Sequence, residues 1–424
     1  MILNLHFKSY FVNPFQKNVA TLFSGTFISQ IINILGALLL AKLYAPELYG
    51  TYNVFLSLVS ILIIINTLKL EYIIVTESSK ERSINLISVL SFLVLLISLS
   101  YLLFFLAISS FFANKNIKLA VLLLSSISSV FLSGTKIFES YATRVSWFKE
   151  ITYARVLMSL STVSIQFIFF YLYKDGLIFG YIIALIITCT FYILILKSDL
   201  KLPNLTLLKT SLKNNKNILR FAFPSGFINS IGINIMPILL VSYFSASATG
   251  VYSLGLKIVS VPLFLISSSV SQVFFQKASI FFSESRHKLF SLTKKVVVSS
   301  LLTMLTALLL INTLGLYILG FIFDKHWENL NLYVLILSFY MICQSAFVPI
   351  SYLIVIVNKM HIGLIFNLCL VLINLIAIYV GNLYDNITYT VLILSVIGGI
   401  GYLVLLFYFL SYLKTFNNEN QKLN

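Results

Sequence analysis

Lys257 is the first residue to explain, because it stands in the apolar run Tyr252-Ser-Leu-Gly-Leu-Lys257-Ile-Val-Ser-Val-Pro262. An ionisable group in a run that crosses a bilayer costs on the order of 2.5–3.5 kcal/mol by insertion scales and marks a functional position unless it snorkels to the headgroups. A lysine there can meet an anionic group in a hydrated cleft, which is the reading preferred here. Further charges stand near the ends of other apolar runs: Lys69 and Glu71, Lys136 and Glu139, Arg155, and Lys42 at the opposite end of the first run. Together Lys69, Lys136 and Arg155 can form a basic mouth for a phosphate, although each alone also reads as a topological charge. Amides and hydroxyls are dense in the same runs, with Ser24, Ser29, Gln30 and Asn33 in the first and Asn229, Ser230 and Asn234 in the seventh. Ser267 to Ser269, Ser271 and Gln272 continue the pattern in the eighth. At helical spacing these residues give a polar face suited to a hydroxyl-rich ligand, and helix–helix hydrogen bonding explains them equally well.

Bond-making chemistry finds no support. The isolated acids Glu47, Asp175, Asp324, Glu328 and Asp385 form no pair at helical or hairpin spacing, so neither a catalytic residue nor a metal site is expected. The three cysteines, Cys189, Cys343 and Cys369, lie inside apolar runs without metal or disulfide spacing. No nucleotide-binding loop is present. Binding and moving a ligand is the chemistry these residues allow.

The elements that must position them are membrane helices. Hydrophobic residues make up 59% of the chain and charged residues 10%, with a mean hydropathy of +0.99. A span takes roughly 20 apolar residues, and twelve candidates fall near 19–41, 50–70, 84–112, 117–138, 153–173, 176–196, 218–241, 250–274, 290–320, 331–357, 361–381 and 387–411. The run 290–320 is overlong and predicts a tilt or an interfacial turn. The net charge of +16 does not imply a nucleic-acid partner, because the basic residues sit in short loops where topology governs charge. With the N-terminus inside, 23 of the 29 Lys and Arg fall on the cytoplasmic side and five opposite, Lys257 being within a span. Both termini are therefore expected in the cytoplasm, and no cleavable signal peptide is expected before the first span.

A shift of 200 residues aligns Phe23 with Phe223, Phe27 with Phe227, Gly50 with Gly250, Tyr52 with Tyr252, Val59 with Val259 and Ser60 with Ser260. Six helices separate the halves, so both insert the same way up. The expected fold is an all-α integral membrane protein of about twelve helices in two six-helix lobes, related by a pseudo-twofold axis along the membrane normal. Its parts are a cytoplasmic segment 1–18, an N-lobe 19–197, a linker 198–217, a C-lobe 218–411 and a tail 412–424. Pro224, Pro237 and Pro262, with Gly50 and Gly250, are the expected helix breaks and gating points.

The segments Phe23-Ser-Gly-Thr-Phe-Ile-Ser-Gln-Ile, Ala41-Lys-Leu-Tyr-Ala-Pro-Glu-Leu-Tyr-Gly-Thr-Tyr and Leu70-Glu-Tyr-Ile-Ile-Val resemble the opening of Wzx-type polysaccharide flippases. Phe221-Ala-Phe-Pro-Ser-Gly-Phe-Ile-Asn-Ser, Gly250-Val-Tyr-Ser-Leu-Gly-Leu-Lys-Ile-Val-Ser-Val-Pro-Leu and Ser269-Val-Ser-Gln-Val-Phe-Phe resemble its second-half segment. The resemblance covers roughly 19–80 and 218–278. It implies the multidrug/oligosaccharidyl-lipid/polysaccharide exporter superfamily, with two six-helix lobes and alternating access. The implied partner is an undecaprenyl-diphosphate-linked oligosaccharide, carried from the cytoplasmic to the periplasmic leaflet of a bacterial inner membrane for O-antigen or capsule synthesis. Membrane lipid, a polysaccharide polymerase and a chain-length regulator are the other implied partners. Lys257 falls where relatives often carry a basic residue, whereas Lys42 stands where arginine is common, so bidentate phosphate contact is not available there. No cofactor is implied; coupling to H+ or Na+ would need an acid in the cleft, and Glu71 is the expected one. The rivals are a flippase for a peptidoglycan precursor, teichoic acid or enterobacterial antigen unit, a drug exporter of the same superfamily, and a membrane polymerase or glycosyltransferase.

Overall fold

The structure is a computed structural model and describes residues 14–77, 79–107, 118–172, 176–196, 215–216, 218–323 and 327–421. Most of the segments assigned above to 1–18 and to the linker 198–217 lie outside the described residues, as do the side chains of Ser268, Ser269 and Gln272. Among the described residues, twelve helices are long and apolar enough to cross a membrane. They are α1 (Pro14–Leu43), α2 (Pro46–Thr67), α3 (Lys80–Ala107), α4 (Leu119–Arg144), α5 (Phe148–Phe170) and α6 (Gly176–Leu196). The second half contributes α7 (Phe223–Tyr243), α8 (Ala246–Glu284), α9 (Arg286–Leu310), α10 (Leu330–Phe347), α11 (Met360–Leu383) and α12 (Ile387–Gln421). Among the described residues there is no strand.

The helix ends follow from local chemistry. Pro46, whose nitrogen could donate no hydrogen bond, opens α2 after an extended Ala45. Ser245 caps α8 by accepting a hydrogen bond from the Ala248 amide at 3.1 Å. Leu68 and Lys69 are both left-handed, at φ 49° and 62°, which stops α2 and turns the chain into a short helix, Glu71–Thr76. Of the tilt or interfacial turn expected for the overlong ninth run, the turn is absent from the described helix. α9 passes through a π-turn at Ile311–Gly315 and continues as a helix over Leu316–Ile322. The extra residue of a π-turn is absorbed without breaking the rod.

The two halves repeat each other's packing. α1 lies on α5, α5 on α6, α2 on α4 and α3 on α4; likewise α7 lies on α11, α11 on α12, α8 on α10 and α9 on α10. The lobes meet where α2 crosses α8 and α7, while α1 touches α8 more sparsely. At the end carrying the 44–45 and 244–245 connections, one apolar core runs through both lobes and includes Phe55, Val59, Leu254 and Val259. Toward the other end each lobe keeps a separate core, around Ile74 and Ile137 in the first half and around Ala346 and Phe409 in the second. The halves are therefore zipped at one end and independently packed at the other.

Gly50 and Gly250 form the zip. A Cβ on Gly50 would overlap the Ala246 carbonyl, and one on Gly250 would overlap the Pro46 carbonyl. The pairs Pro46/Gly50 and Ala246/Gly250 differ by the repeat offset of 200, so the pseudo-twofold axis passes between the two glycines. This corrects the expectation of helix breaks: both glycines lie inside continuous helices, where lacking a side chain lets two backbones touch. At Pro224 the expected irregularity is present: the π-helical turn Ile218–Ala222 passes into α7, and the proline stands two residues beyond it. α7 continues through Pro237 and α8 through Pro262, so neither proline breaks its helix.

Candidate functional site

The N-lobe carries an ion cluster on its inner face. α4 and α5 form a hairpin across the turn Val145–Trp147, where Ser146 is left-handed at φ 61°. That hairpin brings Glu139, on the last turns of α4, level with Arg155 on the second turn of α5. The Arg155 guanidinium forks onto Glu139 Oε1 through Nε at 3.1 Å and through Nη2, and donates from Nη1 to Thr26 Oγ1 of α1 at 2.6 Å. Lys136 Nζ holds the other carboxylate oxygen at 3.0 Å. Two cations share one carboxylate, which leaves this face with one positive charge in excess.

α1 extends the polar surface away from the cluster. Gly25 fits against Thr152 and Gly36 against Val163, both on α5, which fixes the rotation of α1. Ile34 and Leu38 point toward α8. At roughly 100° per residue, Thr26, Gln30, Asn33 and Ala37 fall between those two faces. Gln30 and Asn33 are half-buried, and neither side chain finds a hydrogen-bond partner among the described residues. Two amide heads thus stand open along the seam.

Lys257 lies at the far end of that stripe. It lines a crevice of about 240 Å³ with Ile34, Ala37 and Leu38 of α1, Leu254, Ile258 and Val261 of α8, and the segment Ile311 to Ile322 around the π-turn. Every other lining residue is apolar. Among the described residues no carboxylate pairs with Lys257. The stripe from Thr26 to Ala37 spans eleven helical rises, about 16 Å in an α-helix, so the two basic centres sit at different depths on one path.

A model of the polysaccharide biosynthesis protein family matches residues 15–275, which contain the whole ion cluster, the α1 stripe and Lys257. The chain belongs to the polysaccharide biosynthesis protein family. Its fold is that of the superfamily of multidrug, oligosaccharidyl-lipid and polysaccharide exporters. A solved structure of the lipid II flippase MurJ in an inward closed conformation aligns with a TM-score of 0.74 at 18% identity, over 91% of this chain and 87% of that one. An inward-facing multidrug resistance MATE family transporter aligns at 0.62 and 14% identity, over 94% and 96% of the two chains. A transporter of the superfamily from Pyrococcus furiosus aligns at 0.55 and 14%, again over 94% and 96%. No curated protein sequence matches the chain.

The other predicted site residues of this family member lie apart from these two centres. Lys69 leaves the end of α2 and runs across to α7, where a Cβ on Gly226 would press on its Cε; its Nζ is 5.5 Å from the Tyr72 ring centroid. Lys69 thus spans the seam without joining Arg155 or Lys136. Lys42 is exposed in the last turn of α1, a favourable place for a cation at a helix C-terminus. Asn229 is exposed on α7, while Asn234 turns back to the Ser230 carbonyl at 2.9 Å and serves its own helix. Glu71 is buried in the short helix packed on α4, and its Oε2 has no hydrogen-bond partner among the described residues.

Glu139 is the residue that sequence reasoning undervalued. The expected end of the fourth span at 138 put it in a loop, whereas α4 runs to Arg144. The Lys136/Glu139 spacing of three, which pairs side chains on a helix, was the available signal. Its link to Arg155 depends on a hairpin register that spacing alone does not give.

Proposed function

We propose that this protein is a flippase for a lipid-linked glycan, an undecaprenyl-diphosphate-linked O-antigen or capsule repeat unit, moved from the cytoplasmic to the periplasmic leaflet by alternating access. The observation that carries the reading is Lys257, a cation without a counter-ion among the described residues, in a crevice that is otherwise apolar and opens at the seam between the lobes. A phosphate attached directly to a long apolar chain suits both features at once. A drug cation would be repelled, and a soluble sugar would leave the apolar wall unused. Gln30 and Asn33 offer donors and acceptors to glycan hydroxyls along the same seam, and Arg155 and Lys136 offer a second phosphate contact.

The charge distribution supports cytoplasmic termini in an inner membrane. In that orientation the zipped Gly50/Gly250 end is outside and the separately packed ends are inside, a form closed toward the periplasm. A polymerase or chain-length regulator that consumes the flipped unit is the implied functional partner. The test is genetic. Deleting the gene should cause one lipid-linked glycan to accumulate on the inner leaflet, and its sugars identify the substrate. Accumulation of the peptidoglycan precursor would select the rival flippase reading, and accumulation of none would remove the assignment.

A further inference from the structure

The N-lobe cluster has a property that a simple phosphate-binding patch would lack, because its cations are already engaged by an internal acid. Glu139 is largely buried, holds Lys136 on one oxygen and Arg155 on the other, and is tied through Arg155 to Thr26 on the seam-lining helix. From α6, the Tyr192 hydroxyl is within electrostatic reach of Glu139 and Arg155. Lys136 and Arg155 are the only charges recorded against Glu139 among the described residues. Their side chains are half-exposed, while the carboxylate is about one-fifth exposed. A ligand arriving along the seam therefore meets the cations before the acid.

We infer that Glu139 is a proton site linked to occupancy of the cleft: a lipid diphosphate takes Lys136 and Arg155 as partners, and Glu139 takes up a proton from water in their place. The inference rests on the flippase reading above. The sign follows from charge. Empty, the carboxylate is paired with two cations, one on each oxygen. With a diphosphate on those cations, the nearest new charge is negative, and the carboxylate's affinity for a proton rises. Binding and protonation then assist each other, and linkage requires the effect to be reciprocal. Proton uptake is also diagnostic, since a phosphate that loses its own proton on meeting Lys and Arg would give release. Glu139, not Glu71, is the acid this linkage concerns, because among the described residues Glu71 has no cation partner to lose.

The experiment is calorimetric titration of the full-length purified protein with undecaprenyl diphosphate in mixed micelles. It is run at one pH in two buffers of different ionisation enthalpy, so that the difference reports protons exchanged. The wild type should take up protons on binding, and its affinity should rise as pH falls. Glu139→Gln should bind without uptake, whereas Tyr192→Phe should keep it. The wild-type pH dependence needs no variant, so poor folding of Glu139→Gln does not remove the test. Binding without proton uptake, or unchanged uptake in a folded Glu139→Gln, overturns this inference and leaves the flippase standing. Absence of any binding removes the flippase reading and this inference with it.

Discussion

Lys257 and Arg155 show how the same charge type can be held in opposite ways. Arg155 is compensated, with Glu139 and Thr26 accepting from three of its five N–H donors. Lys257 is not, and a lone ammonium in an apolar wall is stable only if water or a ligand reaches it. A hydrogen bond between charged partners contributes about 1.5–3 kcal/mol, so Lys257→Ala should weaken undecaprenyl diphosphate binding by about ten- to a hundredfold, with Lys257→Arg retaining part of it. Titration of the detergent-purified variants measures this, and wild-type affinity in the alanine variant would place the phosphate elsewhere. Lys257 was legible in the sequence because an ionisable residue in an apolar run is conspicuous. The partners of Arg155 were not, because hydrogen bonds spanning 16 residues to Glu139 and 129 to Thr26 depend on tertiary packing.

Helix crossing, more than helix breaking, organises the seam. The sequence predicted hinges at Gly50, Gly250 and the prolines, using the rule that these residues weaken helices. That rule failed here because the requirement at Gly50 and Gly250 is backbone contact between α2 and α8, and each residue is helical. Overpacking at such a point costs about 1–3 kcal/mol. Gly50→Ala and Gly250→Ala should each lower the thermal midpoint of the purified protein. The double variant should lose clearly less than the sum, because either methyl alone already separates the same crossing. Strict additivity would mean that the glycines act independently. The π-turn at Ile311–Gly315 was equally hidden: the overlong run announced an irregularity, but its form and its place beside Lys257 emerged only from packing. By contrast, the twelve spans and the repeat were plain, since hydropathy and a fixed offset are properties of the chain itself.

The whole molecule joins two same-way-up lobes at one end and leaves a polar stripe on α1 running from the Arg155 cluster to the Lys257 crevice. Such a path lets a headgroup pass between basic centres while its lipid chain stays outside the lobes, which is the physical core of the proposal. Its most direct measurement is translocation in vesicles. Purified protein is reconstituted with a fluorescent undecaprenyl-diphosphate-linked sugar, and a membrane-impermeant quencher follows the outer leaflet. Wild-type vesicles should expose the inner-leaflet pool to quencher much faster than protein-free vesicles, and Lys257→Ala vesicles should lose most of that gain. Equal rates with and without the protein, in vesicles where its folded insertion is verified, would contradict the account.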